Sequence, residues 1–225
     1  MEKVFWENPY QTSLITKVAK VCGNTILLDE TIAFSFSGGQ ESDTGSIHKS
    51  KILHSEKRDA LIYYTIEDDH ALQVGDTVTM RIDWERRYKL MRLHFATELI
   101  LELVTRKLGL EKIGAHIAEN KARVDFVYVK NISSIFGEVL DDYQKIIEAD
   151  RPIKTGFTNV EAQRRFWEIE GFAKVACGGT HVKSTREVGM ITLKRVNIGR
   201  GKERIDIKLF DPDLLSKITS MDCSK

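Results

Sequence analysis

The chain has 225 residues, a formal net charge of +1, and 42% hydrophobic against 30% charged residues. That length suffices for a sizeable buried core, in one large domain or two of moderate size. The near-neutral charge excludes a protein that is basic throughout and coats nucleic acid, while leaving room for a local basic face.

Charges interrupt the apolar residues of Met1-Glu2-Lys3-Val4-Phe5-Trp6-Glu7. Nowhere do about 18 apolar residues run on without a charge, so neither a secretion signal nor a membrane span is expected. Cys22, Cys177 and Cys223 are odd in number and widely scattered, which argues against a disulfide framework and for a reducing cytoplasm.

From the N-terminus to about Asp83 the pattern is that of strands. Leu14, Thr16 and Val18 alternate, Gly23-Asn24 offers a turn, and Thr25-Ile26-Leu27-Leu28 follows. Leu61–Ile66 and, behind Gly75-Asp76, Val78–Ile82 continue the series. Short strands at this spacing predict a small barrel-like domain over residues 1–83. The stretch from Phe34 to Gly45, rich in small and polar residues, interrupts them; by composition alone it is a surface connection.

At Trp84 the period changes. Trp84, Tyr88, Met91, Phe95, Leu99 and Leu103 recur at helical spacing, and Gly109 is placed to end the helix in a left-handed conformation. This helix opens a second domain, residues 84–225. Ala122–Val129 alternates as a strand; Ile135, Val139, Ile146 and Ile147 return to helical spacing before Pro152; Thr158 and Glu161 read as a capping box for a short helix through Trp167. Phe172–Val175 leads as a strand into Cys177, and Met190–Leu193 with Ile205–Leu209 forms a hairpin across Gly199-Arg200-Gly201-Lys202. The class is α+β, with helices against a largely antiparallel sheet.

Chemistry concentrates at two places. Cys177-Gly178-Gly179-Thr180-His181 sets a thiol and an imidazole four positions apart around two glycines, so both can reach one point. That pairing suits a transition metal, zinc above all. In the apolar run of the long helix, His94 and Glu98 stand at i and i+4, hence on one face. Together they give four candidate ligands for one Zn2+ per chain. Arg86 and Arg87, at the start of the helix, are a solvated face or a phosphate contact.

In order, Asp83-Trp84-Glu85-Arg86-Arg87, Met91-Arg92-Leu93-His94, Ala122-Arg123-Val124-Asp125-Phe126 and Cys177-Gly178-Gly179-Thr180-His181-Val182 resemble the AlaX family of free-standing alanyl-tRNA editing proteins. These are relatives of the editing domain of alanyl-tRNA synthetase. Thr31 and the Gly38-Gly39-Gln40-x-x-Asp43-x-Gly45 stretch resemble the glycine-rich motif of the medium-length form, so the likeness covers nearly the whole chain. The resemblance implies zinc-dependent hydrolysis of the ester joining a wrong amino acid, chiefly serine with glycine as second candidate, to the terminal adenosine of alanine tRNA. It further implies His94, Cys177 and His181 as metal ligands. Thr31, Gly38, Gly39, Gln40 and Asp43 become candidates for substrate binding, and Arg86, Arg87, Lys194, Arg195, Arg200, Lys202 and Arg204 for the tRNA backbone. A serine-pairing pocket would spare alanyl esters by leaving a polar group unpaired.

Glu98 departs from the family, which usually has histidine there. A carboxylate binds zinc at much the same distance, so Glu98 can replace the fourth ligand. Two alternatives stay open: a general base beside a three-ligand ion, or lowered activity. Two other function classes compete. One is a zinc-containing RNA-binding module without chemistry; the other is a zinc deaminase, disfavoured because Cys177 lacks the P-C-x-x-C context.

Overall fold

The computed structural model describes residues 1–199 and 201–210. In chain order its strands and helices are β1 (Glu2–Lys3), β2 (Ser13–Cys22), β3 (Thr25–Leu28), β4 (Glu30–Thr31), β5 (Gly45–Ile47), β6 (Ser50–Arg58), β7 (Leu61–Ile66), β8 (Thr77–Ile82), α1 (Trp84–Leu108), β9 (Lys112–Ile117), β10 (Ala122–Val127), α2 (Phe136–Glu148), β11 (Lys154–Asn159), β12 (Arg164–Ile169), β13 (Ala173–Ala176), α3 (Thr185–Val188), β14 (Ile191–Asn197) and β15 (Lys202–Leu209). The fold is α+β, as expected. No helix among the described residues is long and apolar enough to cross a membrane.

Six strands close into an antiparallel barrel in the order β2-β3-β7-β6-β5-β8. Period-2 alternation builds it: Ile62, Tyr64 and Ile66 of β7 and Val78, Met80 and Ile82 of β8 all point inward. Closure through β5 and β8 is tight. A Cβ on Gly45 would stand 2.0 Å from the Arg81 carbonyl oxygen, so only glycine admits this pairing.

The long helix runs over the residues its periodicity predicts. The Asp83 side chain accepts from Arg86 N at 3.1 Å, and Gly109, at φ 65°, donates its N–H to Thr105 O at 2.8 Å. Leu90, Leu93, Phe95, Leu99 and Ile100 are buried on several faces, because α1 lies between the sheet β14-β15-β10-β9 and the helices α2 and α3. A second cluster of buried apolar side chains, separate from the barrel's, forms around it. The small sheet β11-β12-β13 joins this core through Trp167, whose ring meets Phe95 edge-on at 5.1 Å.

The capping box expected at Thr158 and Glu161 does not open a helix. These residues belong to a hairpin between β11 and β12. Asn159 Oδ1 accepts from Ala162 N at 2.7 Å and Gln163 adopts φ 50°, so the turn is closed locally. Strand pairing follows at once on both sides, whereas a helix of one or two turns would carry its nucleation cost with little burial to offset it.

The stretch from Phe34 to Gly45 is not a surface connection either. Asp43, 4% exposed, accepts from Phe34 N at 2.6 Å and forms a two-pronged ion pair with Arg87 of α1, including Arg87 Nε to Asp43 Oδ1 at 2.8 Å. Arg87, wholly buried, also donates to Pro9 O at 2.8 Å and Ile32 O at 2.6 Å. The stretch is therefore a strap that ties barrel to helix. Asp43→Ala leaves a guanidinium uncompensated in the interior, and should lower unfolding free energy by about 3–5 kcal/mol. Urea unfolding measures this; an unchanged midpoint would contradict the assigned role.

Candidate metal centre

His94 faces inward at the middle of α1. Cys177 follows β13, and the Gly178-Gly179 turn brings Thr180 and His181 back toward the helix. Cys177 Sγ lies 3.3 Å from His94 Nε2 and 3.3 Å from His181 Nε2. These three donors are all within 4.8 Å of one another and can hold a metal ion. Tetrahedral zinc with bonds of about 2.3 Å to sulfur and 2.0 Å to nitrogen has sulfur–nitrogen edges of about 3.5 Å, so the spacing fits. Both histidines are 4% exposed.

Glu98 Oε1 reaches His94 Nε2 at 3.4 Å, while Oε2 accepts from Trp167 Nε1 at 3.1 Å. The carboxylate is thus held against the nitrogen that also meets Cys177. It is not one of the three donors that lie mutually close.

The other ring nitrogen of His94 is held by the strap. Gln40 Oε1 sits 2.5 Å from His94 Nδ1; an amide oxygen only accepts, so Nδ1 carries the hydrogen and Nε2 faces the thiol. Gln40 Nε2 donates to Thr180 Oγ1 at 2.9 Å, and Thr180 N donates to Gln40 Oε1 at 3.3 Å. One buried amide therefore joins the helix, the strap and the Cys177 loop. Close approach needs glycine on both sides of it. A Cβ on Gly179 would fall 2.0 Å from His94 Cε1, and one on Gly39 2.6 Å from Ala115 O. Gly39, at φ 89°, is locked to β9 by Ile117 N donating to its carbonyl at 2.7 Å. Gly38 turns at φ 60°.

Electrostatics match a cation site. Burial opposes charge on His94, but the negative charge of Cys177, and then that of Glu98, outweighs it and pushes the imidazole up to about 10. For Glu98, too, burial is opposed and overridden by His94, which brings the carboxyl down to about 2. His181 is held down to about 3 by burial and by the positive charge of His94. Its Nδ1 is buried without a hydrogen-bond partner. The cluster draws in one positive charge as a proton; a metal ion would supply that charge and leave His94 neutral, as a ligand must be.

The remaining candidates fall elsewhere. Thr31 is in the barrel wall, its hydroxyl 2.6 Å from that of Tyr64 and accepting from Ala33 N at 3.1 Å. Arg87 is an interior cation, so it is corrected from an RNA contact to a structural one. Arg86 bonds Glu41 at 2.7 Å and Glu119 at 2.9 Å. Arg195 pairs with Glu203 at 2.6 Å and Arg204 with Asp125 at 2.7 Å. Lys194 and Lys202 are exposed, and Arg200 lies outside the described residues. Thr180, Trp167 and Arg165, which line or brace the centre, were not singled out from the sequence. The alternation Arg165-Trp167-Ile169 along β12 is the available signal, and the helix expected through Trp167 runs across it.

Comparison with known proteins agrees with this architecture. The model of class II (A) tRNA synthetases matches residues 3–86, and that of the threonyl and alanyl tRNA synthetase second additional domain matches residues 165–206. The chain is 33% identical, over 91% of its length, to the alanine–tRNA ligase of Methanococcus aeolicus, of which it spans 25%. Barrel, long helix and His/Cys/His cluster thus define a protein of the class built on the alanyl-tRNA synthetase editing region. It is 32% identical to the alanyl-tRNA editing protein AlaX-M of Pyrococcus horikoshii, over 92% of this chain and 97% of that protein. The AlaX-M of Saccharolobus solfataricus is 31% identical over 91% and 97% of the two chains. The chain belongs to the AlaX-M family of alanyl-tRNA editing proteins.

Loss of the Gln40 bond to His94 should weaken metal binding by about 10- to 100-fold in Gln40→Leu. Gly179→Ala, whose methyl group enters the His94 ring, should leave less than one ion per chain. Elemental analysis and chelator competition give both results.

Proposed function

We propose that the protein hydrolyses the aminoacyl ester of mischarged alanine tRNA, chiefly seryl and secondarily glycyl, with one zinc ion per chain. The observation that carries this reading is the convergence of His94, Cys177 and His181 in a chain whose full-length relatives are editing proteins. Glu98, with Oε2 pinned by Trp167, would offer Oε1 as fourth ligand. The reaction adds water across the ester and releases the free amino acid and a tRNA 3′-terminal hydroxyl.

Bound to these residues, zinc would supply Lewis acidity and a positive charge for orienting the ester. The chain's own groups do the rest. Gln40 fixes the tautomer and direction of His94. Gly38 and Gly39 let the strap approach the centre and border the amino acid. Thr31 would read the serine hydroxyl by exchanging its bond to Tyr64 for one to substrate, a pairing that alanine cannot satisfy. Such positioning goes far, because an aminoacyl ester is intrinsically labile. Asp43 supports the site from outside it, through Arg87.

In this reading residues 1–83 form the barrel domain and residues 84–225 the editing domain, in a cytoplasmic protein. Arg86, Lys194, Arg195, Arg200, Lys202 and Arg204 supply contacts to the tRNA backbone.

Incubation with seryl-, glycyl- and alanyl-tRNA for alanine tests the proposal. Seryl ester should be lost fastest and alanyl ester slowest, and zinc removal or Cys177→Ala should reduce turnover by at least about a hundredfold. Equal, uncatalysed decay of all three with zinc bound would leave a non-catalytic RNA-binding module instead. Glu98→His, which removes one negative charge, should keep zinc and raise turnover. Thr31→Val should bring seryl and alanyl rates within about tenfold of each other; an unchanged preference would remove Thr31 from the pocket.

A further inference from the structure

Arg165 is a buried cation, and Cys177 and Glu7, the opposite charges that act on it, make no ion pair with it among the described residues. It lies on the inward face of β12 beside Trp167, only 7% exposed. One terminal nitrogen donates to Trp6 O at 2.9 Å, while Nε has no hydrogen-bond partner. Among the described residues no carboxylate forms an ion pair with it. Leaving a guanidinium buried and unpaired is costly, and the expense is recovered when an anion arrives.

Two aromatic rings flank it. The guanidinium carbon is 5.4 Å from the Trp6 ring centre and 5.1 Å from that of Phe157, and the two rings meet edge to face at 5.7 Å. Phe157 is exposed and Trp6 partly so. The group is tied to the metal loop at two points: Trp6 Nε1 donates to Gly178 O at 2.9 Å, and Cys177 N donates to Arg165 O at 3.0 Å. Arg165 shares a recess of about 100 Å³ with Gly179, Thr180 and His181, and Lys183 stands at its rim.

A guanidinium with a free N–H beside aromatic faces suits single-stranded nucleic acid, the phosphate on the cation and the base on a ring. The amino-acid part of an aminoacyl ester cannot supply the anion, because its carboxyl is esterified and its amine is positive. We propose that Arg165, Trp6 and Phe157 form the docking site for the terminal nucleotide of the substrate, Arg165 pairing with its 5′-phosphate and the aromatic pair stacking on its base. This rests on the aminoacyl-ester reading above and deepens it.

The seryl esters of AMP and of adenosine, which differ only in the 5′-phosphate, separate the possibilities. The wild-type, zinc-loaded protein should show a KM roughly tenfold lower for the AMP ester at similar kcat. Arg165→Gln should raise that KM to the level of the adenosine ester and leave the adenosine ester unchanged, with Arg165→Lys recovering part of the difference. Phe157→Leu should raise KM for both. Equal KM values for the two esters in the wild type would overturn the proposal without recourse to any variant. So would an equal fall in kcat for both esters in Arg165→Gln, the result expected if Arg165 only balances the charge of Cys177. If wild type hydrolyses neither ester, the hydrolase reading is decided by the seryl-tRNA assay alone, and calorimetric titration with AMP and adenosine decides the docking site independently. Tighter binding of AMP that Arg165→Gln abolishes supports it; indifference to the phosphate sinks it.

Discussion

The centre depends on one imidazole held at both of its nitrogens. His94 receives Gln40 on Nδ1 and Cys177 on Nε2, and these partners come from segments 137 residues apart, from position 40 to position 177. Neither bond forms unless the strap, the long helix and the Cys177 loop meet in one register. Gly179 makes the meeting sterically possible, since any side chain there would occupy the volume of the imidazole. A polar cluster this deeply buried is tolerated only when each member is satisfied. The proton drawn onto His94 marks the charge that a cation would supply.

The barrel matters to this centre through the strap. Gly45 closes the barrel against β8, Asp43 grips Arg87 two residues earlier, and Gln40 reaches His94 three residues before that. The strap thus transmits the barrel's position to the helix in a few residues. Arg87 and His94 stand seven positions apart on α1, about two turns, so both project from a similar side toward the strap. This explains why charged and polar residues interrupt an otherwise apolar helix. Arg87 is an internal fastener and His94 a donor to the centre, not parts of a solvated face.

Much of this was legible in the residues. The helix from Trp84 to Gly109 follows from its 3.6-residue period, an aspartate cap and a glycine stop, all local signals that no tertiary contact overrides. Four of the six barrel strands, β2, β3, β7 and β8, follow from alternation and glycine turns; β5 and β6 do not, because Gly45–Ile47 is too short to show a period and Ser50–Arg58 is mostly polar. The Thr158–Glu161 hairpin was misread because a capping box is only a preference of side chain for backbone, and pairing of β11 with β12 stabilises more groups at once. The strap was ambiguous for a different reason: small polar residues look alike whether they face water or each other.

The sequence by itself determined the long helix and most of the regular strands, the donor residues and the i, i+4 placement of His94 and Glu98, because these rest on short-range periodicity and side-chain chemistry. Only the tertiary structure decided that Gln40 sets the tautomer of His94, that Arg87 is enclosed with Asp43, that Trp167 pins Glu98, and that Arg165 is buried against Trp6. Each of those is a contact between distant segments. Its geometry is fixed by how a barrel, a helix and two sheets pack, and no local pattern encodes it.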